Sequence, residues 1–199
     1  MKPKETQIAH QDLYLYFLCV TILSKYFLTR NSILLILPAK DFNEEEYLVS
    51  TKALEKVGVK IFIASDSNFL CIGSGGLKVK NDIQFYNMHE SNFDGLIIIG
   101  GKGTRDYWNN QVLISTVQKF VKNKKPVGAI CSAPIILANA GVISCCATCY
   151  PDDRAEIERQ GISYNDESVV SSKKIITARD PSSTAEFIKT FLYELAVSN

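Results

Sequence analysis

Histidine is nearly missing from this sequence: His10 and His89 are the only two in 199 residues. Neither stands near a second plausible ligand, so a metal site built from histidine and cysteine has little to draw on, and none is expected. Charge of one sign is missing as well. Lysine and arginine total 22 against 21 aspartate and glutamate, a formal net of +1, which leaves no electrostatic footprint for a phosphate backbone and argues against nucleic acid as a partner. With 11 glycines and 6 prolines the chain is neither collagen-like nor of low complexity. The 46% hydrophobic share supports a sizeable core, and the length fits one domain with little left over.

The six cysteines, Cys19, Cys71, Cys131, Cys145, Cys146 and Cys149, fall short of the density of a secreted disulfide scaffold, so a reducing, cytoplasmic setting is the expectation. Cys146 and Cys149 have CxxC spacing, but no second pair follows. Adjacent cysteines rarely bridge because disulfide geometry is demanding, and packing is the expected role of Cys145, Cys146 and Cys149. The apolar run at residues 13–23 (LYLYFLCVTIL) is shorter than the roughly 20 residues a spanning helix needs. Glu5 and Asp12 precede it and no small-residue cleavage pattern follows, unlike a secretory signal. Three readings of residues 1–31 stay open: an accessory helix, a targeting or membrane-tethering segment, and an extension without a role of its own.

From residue 32 the pattern is regular. Ile33–Leu37 is an apolar run closed by Pro38, as in a parallel strand buried on both faces. The sequence predicts a helix from Glu44 to Val57 stopped by Gly58, a strand from Val59 to Ala64, and a buried strand at Leu96–Ile99 closed by Gly100 and Gly101. A helix follows at 112–121 with Val112, Ile114, Val117, Phe120 and Val121 apolar, then a strand at 126–130 and a helix at 133–139. A short strand near Ala147, a helix at 152–160, a hairpin through Val169–Val170 and Ile175–Ile176, and a helix from Ser183 to Leu195 complete the order. This alternation specifies an α/β three-layer sandwich, a mainly parallel central sheet with helices on both faces. No linker marks a second domain, so residues 32–199 read as one unit.

In such sheets reactive groups sit at the carboxyl ends of strands. At Ala129-Ile130-Cys131-Ser132-Ala133-Pro134 a strand runs straight into a helix with a cysteine at the junction. A sharp turn there exposes the side chain, and the unpaired N–H groups of a helix start would stabilise a thiolate and lower the thiol pKa. The bland alternative is a small buried hydrophobe at a strand end. Two glycine-rich stretches read as turns: Gly100-Gly101-Lys102-Gly103-Thr104 has the wrong order for a P-loop, and Gly73-Ser74-Gly75 lacks a third glycine.

Ala129-Ile130-Cys131-Ser132-Ala133-Pro134, with Gly100-Gly101 about thirty residues earlier, resembles the nucleophile elbow of the DJ-1/PfpI (ThiJ/PfpI) superfamily. The first strand with Phe42-Asn43-Glu44-Glu45-Glu46, the segment Ala147-Thr148-Cys149-Tyr150-Pro151 and the segment Thr177-Ala178-Arg179-Asp180-Pro181 extend the resemblance over about residues 32–196. The resemblance implies a flavodoxin-like fold akin to class I glutamine amidotransferases, a homodimer, and no cofactor. It implies Cys131 as nucleophile and Glu46 as the carboxyl group beside the sulfur, where a carboxylic acid could donate a hydrogen bond or exchange protons. Spacing alone does not choose among Glu44, Glu45 and Glu46; a solvated carboxylate in a helix's first turn is the bland role for each. Gly101 and Ser132 take the oxyanion-stabilising positions, with Gly100, Tyr150, Arg179 and Pro181 as further oxyanion or substrate-binding residues.

The departures from the family pattern also carry information. Ser132 stands where protease-like members have histidine, and no histidine follows His89, which disfavours a histidine-assisted protease or glutaminase. Tyr150 stands where some members place histidine before the proline. Gly75 replaces an arginine often found at the dimer contact, and Asp180-Pro181-Ser182 replaces Gly-Pro-Gly. The function implied is a glyoxalase III or protein deglycase acting on 2-oxoaldehydes such as methylglyoxal, or on their early adducts on protein side chains. Here the Cys131 thiolate adds to the aldehyde and Glu46 moves the proton. The alternative is a redox-sensing or chaperone-like stress protein with an oxidisable Cys131, and a hydrolase on another carbonyl substrate is a third reading.

Overall fold

The computed structural model describes residues 31–197; the apolar run at 13–23, Cys19 and His10 lie outside the described residues. In chain order the elements are β1 (Ser32–Ile36), β2 (Lys40–Phe42), α1 (Glu44–Lys56), β3 (Lys60–Ser65), β4 (Leu70–Gly73), β5 (Lys78–Lys80), β6 (Ile83–Gln84), β7 (Gly95–Ile98), α2 (Gln111–Lys122), β8 (Val127–Ile130), α3 (Pro134–Asn139), β9 (Cys146–Ala147), α4 (Arg154–Arg159), β10 (Ser163–Tyr164), β11 (Val169–Ser172), β12 (Ile175–Ala178) and α5 (Thr184–Ala196).

Seven strands form the central sheet in the order β11-β12-β8-β7-β1-β3-β6. Every pairing is parallel except the β11–β12 hairpin at one edge. Each face of the sheet builds its own core. Along β1 and just past it, Ile33, Leu35 and Leu37 join Leu54 of α1 and Phe187, Phe191 and Leu195 of α5. Leu34 and Ile36 point the other way, toward Leu113, Val117 and Phe120 of α2 and Ile136 and Leu137 of α3. The period-2 alternation of a pleated strand thus serves two helical layers at once, which is why the run is apolar throughout. Two glycines adjust the first of these layers. A Cβ on Gly95 or Gly128 would strike the rings of Phe191 and Phe187, so the bare strand backbone makes room for two fully buried aromatics.

The three-layer sandwich read from the sequence is the observed fold, with differences of detail. In α2 the buried face is Leu113, Thr116, Val117 and Phe120, while Val112 is exposed. Asn110 caps this helix by accepting from the Val112 and Leu113 amides, which turns Val112 outward. A three-stranded sheet, β2-β4-β5, and the short β6 and β10 were not anticipated; their two- to four-residue runs give periodicity too little length to register. Glu44, expected as a solvated carboxylate, instead accepts from the Gly75 and Leu77 amides at 2.8 Å each, so it clamps the β4–β5 turn against α1. No helix of the described residues is long and apolar enough to cross a membrane.

Phe191 is fully buried between α5 and the sheet, so Phe191→Ala is expected to lower the unfolding free energy by about 3–5 kcal/mol. Urea denaturation checks this, and a loss under about 1 kcal/mol would place the core elsewhere.

Candidate active site

β8 ends at Ile130, and the next residue, Cys131, sits at φ 63°. Among the described residues, four other non-glycine residues share this left-handed backbone, Asp41, Lys124, Lys173 and Lys174, but of these five only Cys131 is buried. Such a conformation costs on the order of 1–3 kcal/mol and persists only where the surroundings over-determine it. Here they do so from both sides. The Cys131 amide donates to the Ala178 carbonyl at the end of β12 (2.9 Å), and its carbonyl accepts from the Tyr150 amide (2.8 Å). The sulfur is thereby lifted over the carboxyl edge of the sheet.

The neighbouring strand exit supplies the floor. A Cβ on Gly100 would lie 2.6 Å from Cys131 Cβ and 2.9 Å from Glu46 Oε2. Gly101, at φ 122°, would overlap the Asp41 carbonyl oxygen if it carried a side chain. Glycine is required at both positions because two chain segments meet there. The amides of Gly101 and Ser132 both point toward the Cys131 sulfur. Ser132 is fixed by its hydroxyl, which donates to the Gly101 carbonyl (2.7 Å), and by its carbonyl, which accepts from Trp108 Nε1 (2.8 Å).

The cap of α1 explains why Glu46, rather than Glu44 or Glu45, enters the site. Asn43 is the N-cap, and its side chain accepts from the Glu46 amide at 3.1 Å, making Glu46 the third residue of the helix. A glutamate at that position ordinarily folds back to the cap residue's amide. In this protein the Asn43 amide is already taken by the Gly100 carbonyl (2.9 Å). The Glu46 carboxyl therefore turns inward, where Oε2 accepts from the Gly100 amide at 2.8 Å. Glu46 is fully buried, and Oε1 accepts no hydrogen bond of ordinary geometry.

Burial without a countercharge sets the electrostatics. Desolvation pushes the Glu46 carboxyl up to about 8 against the opposing pull of the Gly100 amide. The Cys131 thiol is raised as well, first by burial and then by the Glu46 negative charge, which outweigh the Gly101 and Ser132 amides. The expectation of a thiol pKa lowered by a helix start is therefore corrected. α3 has only six residues, it opens with a proline that has no N–H, and the Ala133 amide is bonded to Ile130, so few free donors reach the sulfur. Thiol and carboxyl act instead as one buried pair whose first proton leaves near the Glu46 value.

Over the pair opens a cleft of about 410 Å³ lined by Asn43, Gly101, Lys102, Arg105, Cys131, Ser132, Tyr150, Asp152 and Pro181. Tyr150 contributes its ring, against which the Arg105 guanidinium stacks at 5.9 Å. Arg179 does not line this cleft; its guanidinium bonds Asp180 and Asp166, both at 2.9 Å. Gly100 acts through Glu46 rather than at the cleft wall. Sequence reasoning missed Lys102, Arg105, Trp108 and Asp152. Arg105 belongs to the wall because the turn Lys102–Tyr107 follows Gly101 directly, and Asp153 holds its guanidinium by two hydrogen bonds (2.9 and 3.2 Å). The signal was the glycine pair at a strand exit, which places the next turn over the site.

The DJ-1/PfpI family model matches residues 31–194. An uncharacterized protein of Methanocaldococcus jannaschii is 34% identical over 153 residues, 75% of each chain. A deglycase of Pyrococcus horikoshii is 28% identical over 159 residues, covering 79% of this chain and 96% of its own. A glutathione-independent glyoxalase of Caenorhabditis elegans is 28% identical over 158 residues, covering 79% and 85%. Among solved structures, a ThiJ/PfpI domain protein of Brachyspira murdochii superposes with a TM-score of 0.81 at 28% identity, covering 84% of this chain and 97% of that one.

The Glu46 carboxyl holds its proton more tightly folded, about 8, than its ordinary value of 4.5. Its contribution therefore favours the fold below about pH 4.5 and is lost as pH rises through about 8. Glu46→Gln removes that loss, so its melting temperature relative to the unmodified protein is expected to climb between pH 5 and pH 9. A difference that does not change with pH would mean that Glu46 is ionised throughout.

Proposed function

The chain belongs to the DJ-1/PfpI family, and on that premise we propose that it is a cofactor-independent enzyme that converts 2-oxoaldehydes such as methylglyoxal to 2-hydroxy acids. The same chemistry would release early 2-oxoaldehyde adducts from protein side chains. The observation that carries this reading is the buried Cys131–Glu46 pair beneath two converging amides. Two relatives, one named a deglycase and the other a glutathione-independent glyoxalase, support the same substrate class.

The pair that has lost one proton is the reactive form. As the sulfur attacks the aldehyde carbon, the Glu46 carboxylate takes the thiol proton, a S–C bond forms and the C=O π bond becomes an oxyanion facing the Gly101 and Ser132 amides. Glu46 returns its proton to that oxygen, giving a neutral hemithioacetal. The carboxylate then removes the proton on the former aldehyde carbon, leaving an enediolate with its negative charge on the former ketone oxygen, and delivers that proton to the neighbouring carbon. The hydroxyl proton at the sulfur-bearing carbon passes to the former ketone oxygen, which leaves a 2-hydroxy thioester. Water cleaves the thioester, frees the 2-hydroxy acid and restores the thiol. The sum is one 2-oxoaldehyde plus one water. Histidine is not required as the base, and none follows His89 in the sequence.

Reduced protein is expected to produce lactate from methylglyoxal over many turnovers. Cys131→Ser should abolish production, and Glu46→Gln should lower kcat by about 10²–10⁴-fold, the usual worth of a positioned acid–base group. Below about pH 8, the Glu46 value, kcat/KM should rise roughly tenfold per pH unit and then level off. Lactate production that survives in Cys131→Ser, or a flat profile from pH 6 to pH 9, would refute the proposal.

A further inference from the structure

We propose that Cys145 and Cys146 form a second thiol site, a vicinal dithiol that a peroxide converts to a disulfide between the two adjacent residues. These cysteines were expected to pack, and Cys149 does so, fully buried with its sulfur on the Tyr150 carbonyl. Cys145 is exposed and Cys146 partly so, and their sulfurs lie 3.3 Å apart in mutual hydrogen-bond contact. The surrounding backbone fixes this arrangement. Cys146 pairs with Ser163 in the β9–β10 ladder, and the Cys145 carbonyl accepts from the Ser163 amide at 3.0 Å, so both residues are ordered while Cys145 remains open to water.

The other described thiols lack this combination. Cys71, Cys131 and Cys149 are buried, and burial is the largest cause raising the pKa of each. Cys145 is lowered, chiefly by hydrogen bonding from the Cys146 thiol, then from Ser144, with Lys173 adding positive charge. Oxidant-sensing cysteines are exposed, thiolate-prone and placed beside a resolving thiol. Cys145 meets all three conditions, and Cys131 lacks the exposure.

The Cys145 thiolate attacks one peroxide oxygen, the O–O bond breaks, and hydroxide leaves to become water with the thiol proton. The product is a sulfenic acid. Cys146 sulfur then attacks Cys145 sulfur; the S–S bond forms, the S–O bond breaks, and the hydroxyl departs as water with the Cys146 proton. Two thiols lose two electrons and two hydrogens, and the peroxide becomes two waters. Adjacent Cα atoms stand about 3.8 Å apart, closer than the roughly 4.4–6.8 Å usual for a bridge, so the ring is strained and dithiols reopen it readily.

The test treats the reduced full chain with one equivalent of hydrogen peroxide, followed by alkylation under denaturing conditions and mass spectrometry of fragments. The expected product lacks two hydrogens at Cys145–Cys146, regains them with dithiothreitol and keeps Cys131 alkylatable, the pair reacting at least about tenfold faster than Cys131. Cys146→Ser should stop at a Cys145 sulfenic acid that dimedone traps. Cys131→Ser should leave ring formation unchanged, so the inference stands or falls separately from the proposed catalysis. Oxidation of Cys131 ahead of the pair, a bridge from Cys145 to any other cysteine, or no change at the pair would overturn it.

Discussion

A carboxyl group without water and a thiol with almost none are held side by side at the carboxyl edge of the sheet, and the other features of the site answer to that contact. Among the described residues, no cation neutralises Glu46. Its proton is therefore retained near neutral pH, and the neighbouring sulfur cannot ionise independently. The proposed movement of hydrogen between two adjacent carbons demands a buried acid that can both give and take a proton.

The scaffold maintains this arrangement through a few backbone contacts. Gly100 uses its amide to bind the Glu46 carboxyl and its carbonyl to occupy the Asn43 amide that would otherwise compete for it. Strain at Cys131 is held by β12 on one side and by the segment ending at Tyr150 on the other. These contacts come from five separate stretches of chain, four of them brought together because β12, β8, β7 and β1 lie side by side. The parallel sheet places the ends of its strands at one edge, and the reactive pair forms where those ends meet.

Much of this was legible beforehand. Continuous apolar runs ending in proline, in glycine or in a strand-to-helix junction marked β1, β7 and β8, whereas spacing did not choose among Glu44, Glu45 and Glu46 until the Asn43 cap was seen. What could not be read was the consequence of depth. A cysteine before a helix suggests a lowered pKa, but a six-residue helix opening with proline has few donors to offer, and desolvation wins. The same limit hid the divergence of Cys145 and Cys149. Both lie in one short cysteine-rich stretch, yet one faces water and the other the core, because a two-residue strand shows no periodicity from which to assign faces. Arg105 escaped notice because its place depends on Asp153, 48 residues away.

The central claim is that Glu46 remains a carboxylic acid at neutral pH and ionises near 8. Infrared difference spectroscopy of the carboxyl stretch, with Glu46→Gln as the reference, tests it directly. The account predicts a protonated-carboxyl band that is present at pH 6, disappears around pH 8 and is missing from the variant. A Glu46 carboxylate band already complete at pH 6 would contradict it.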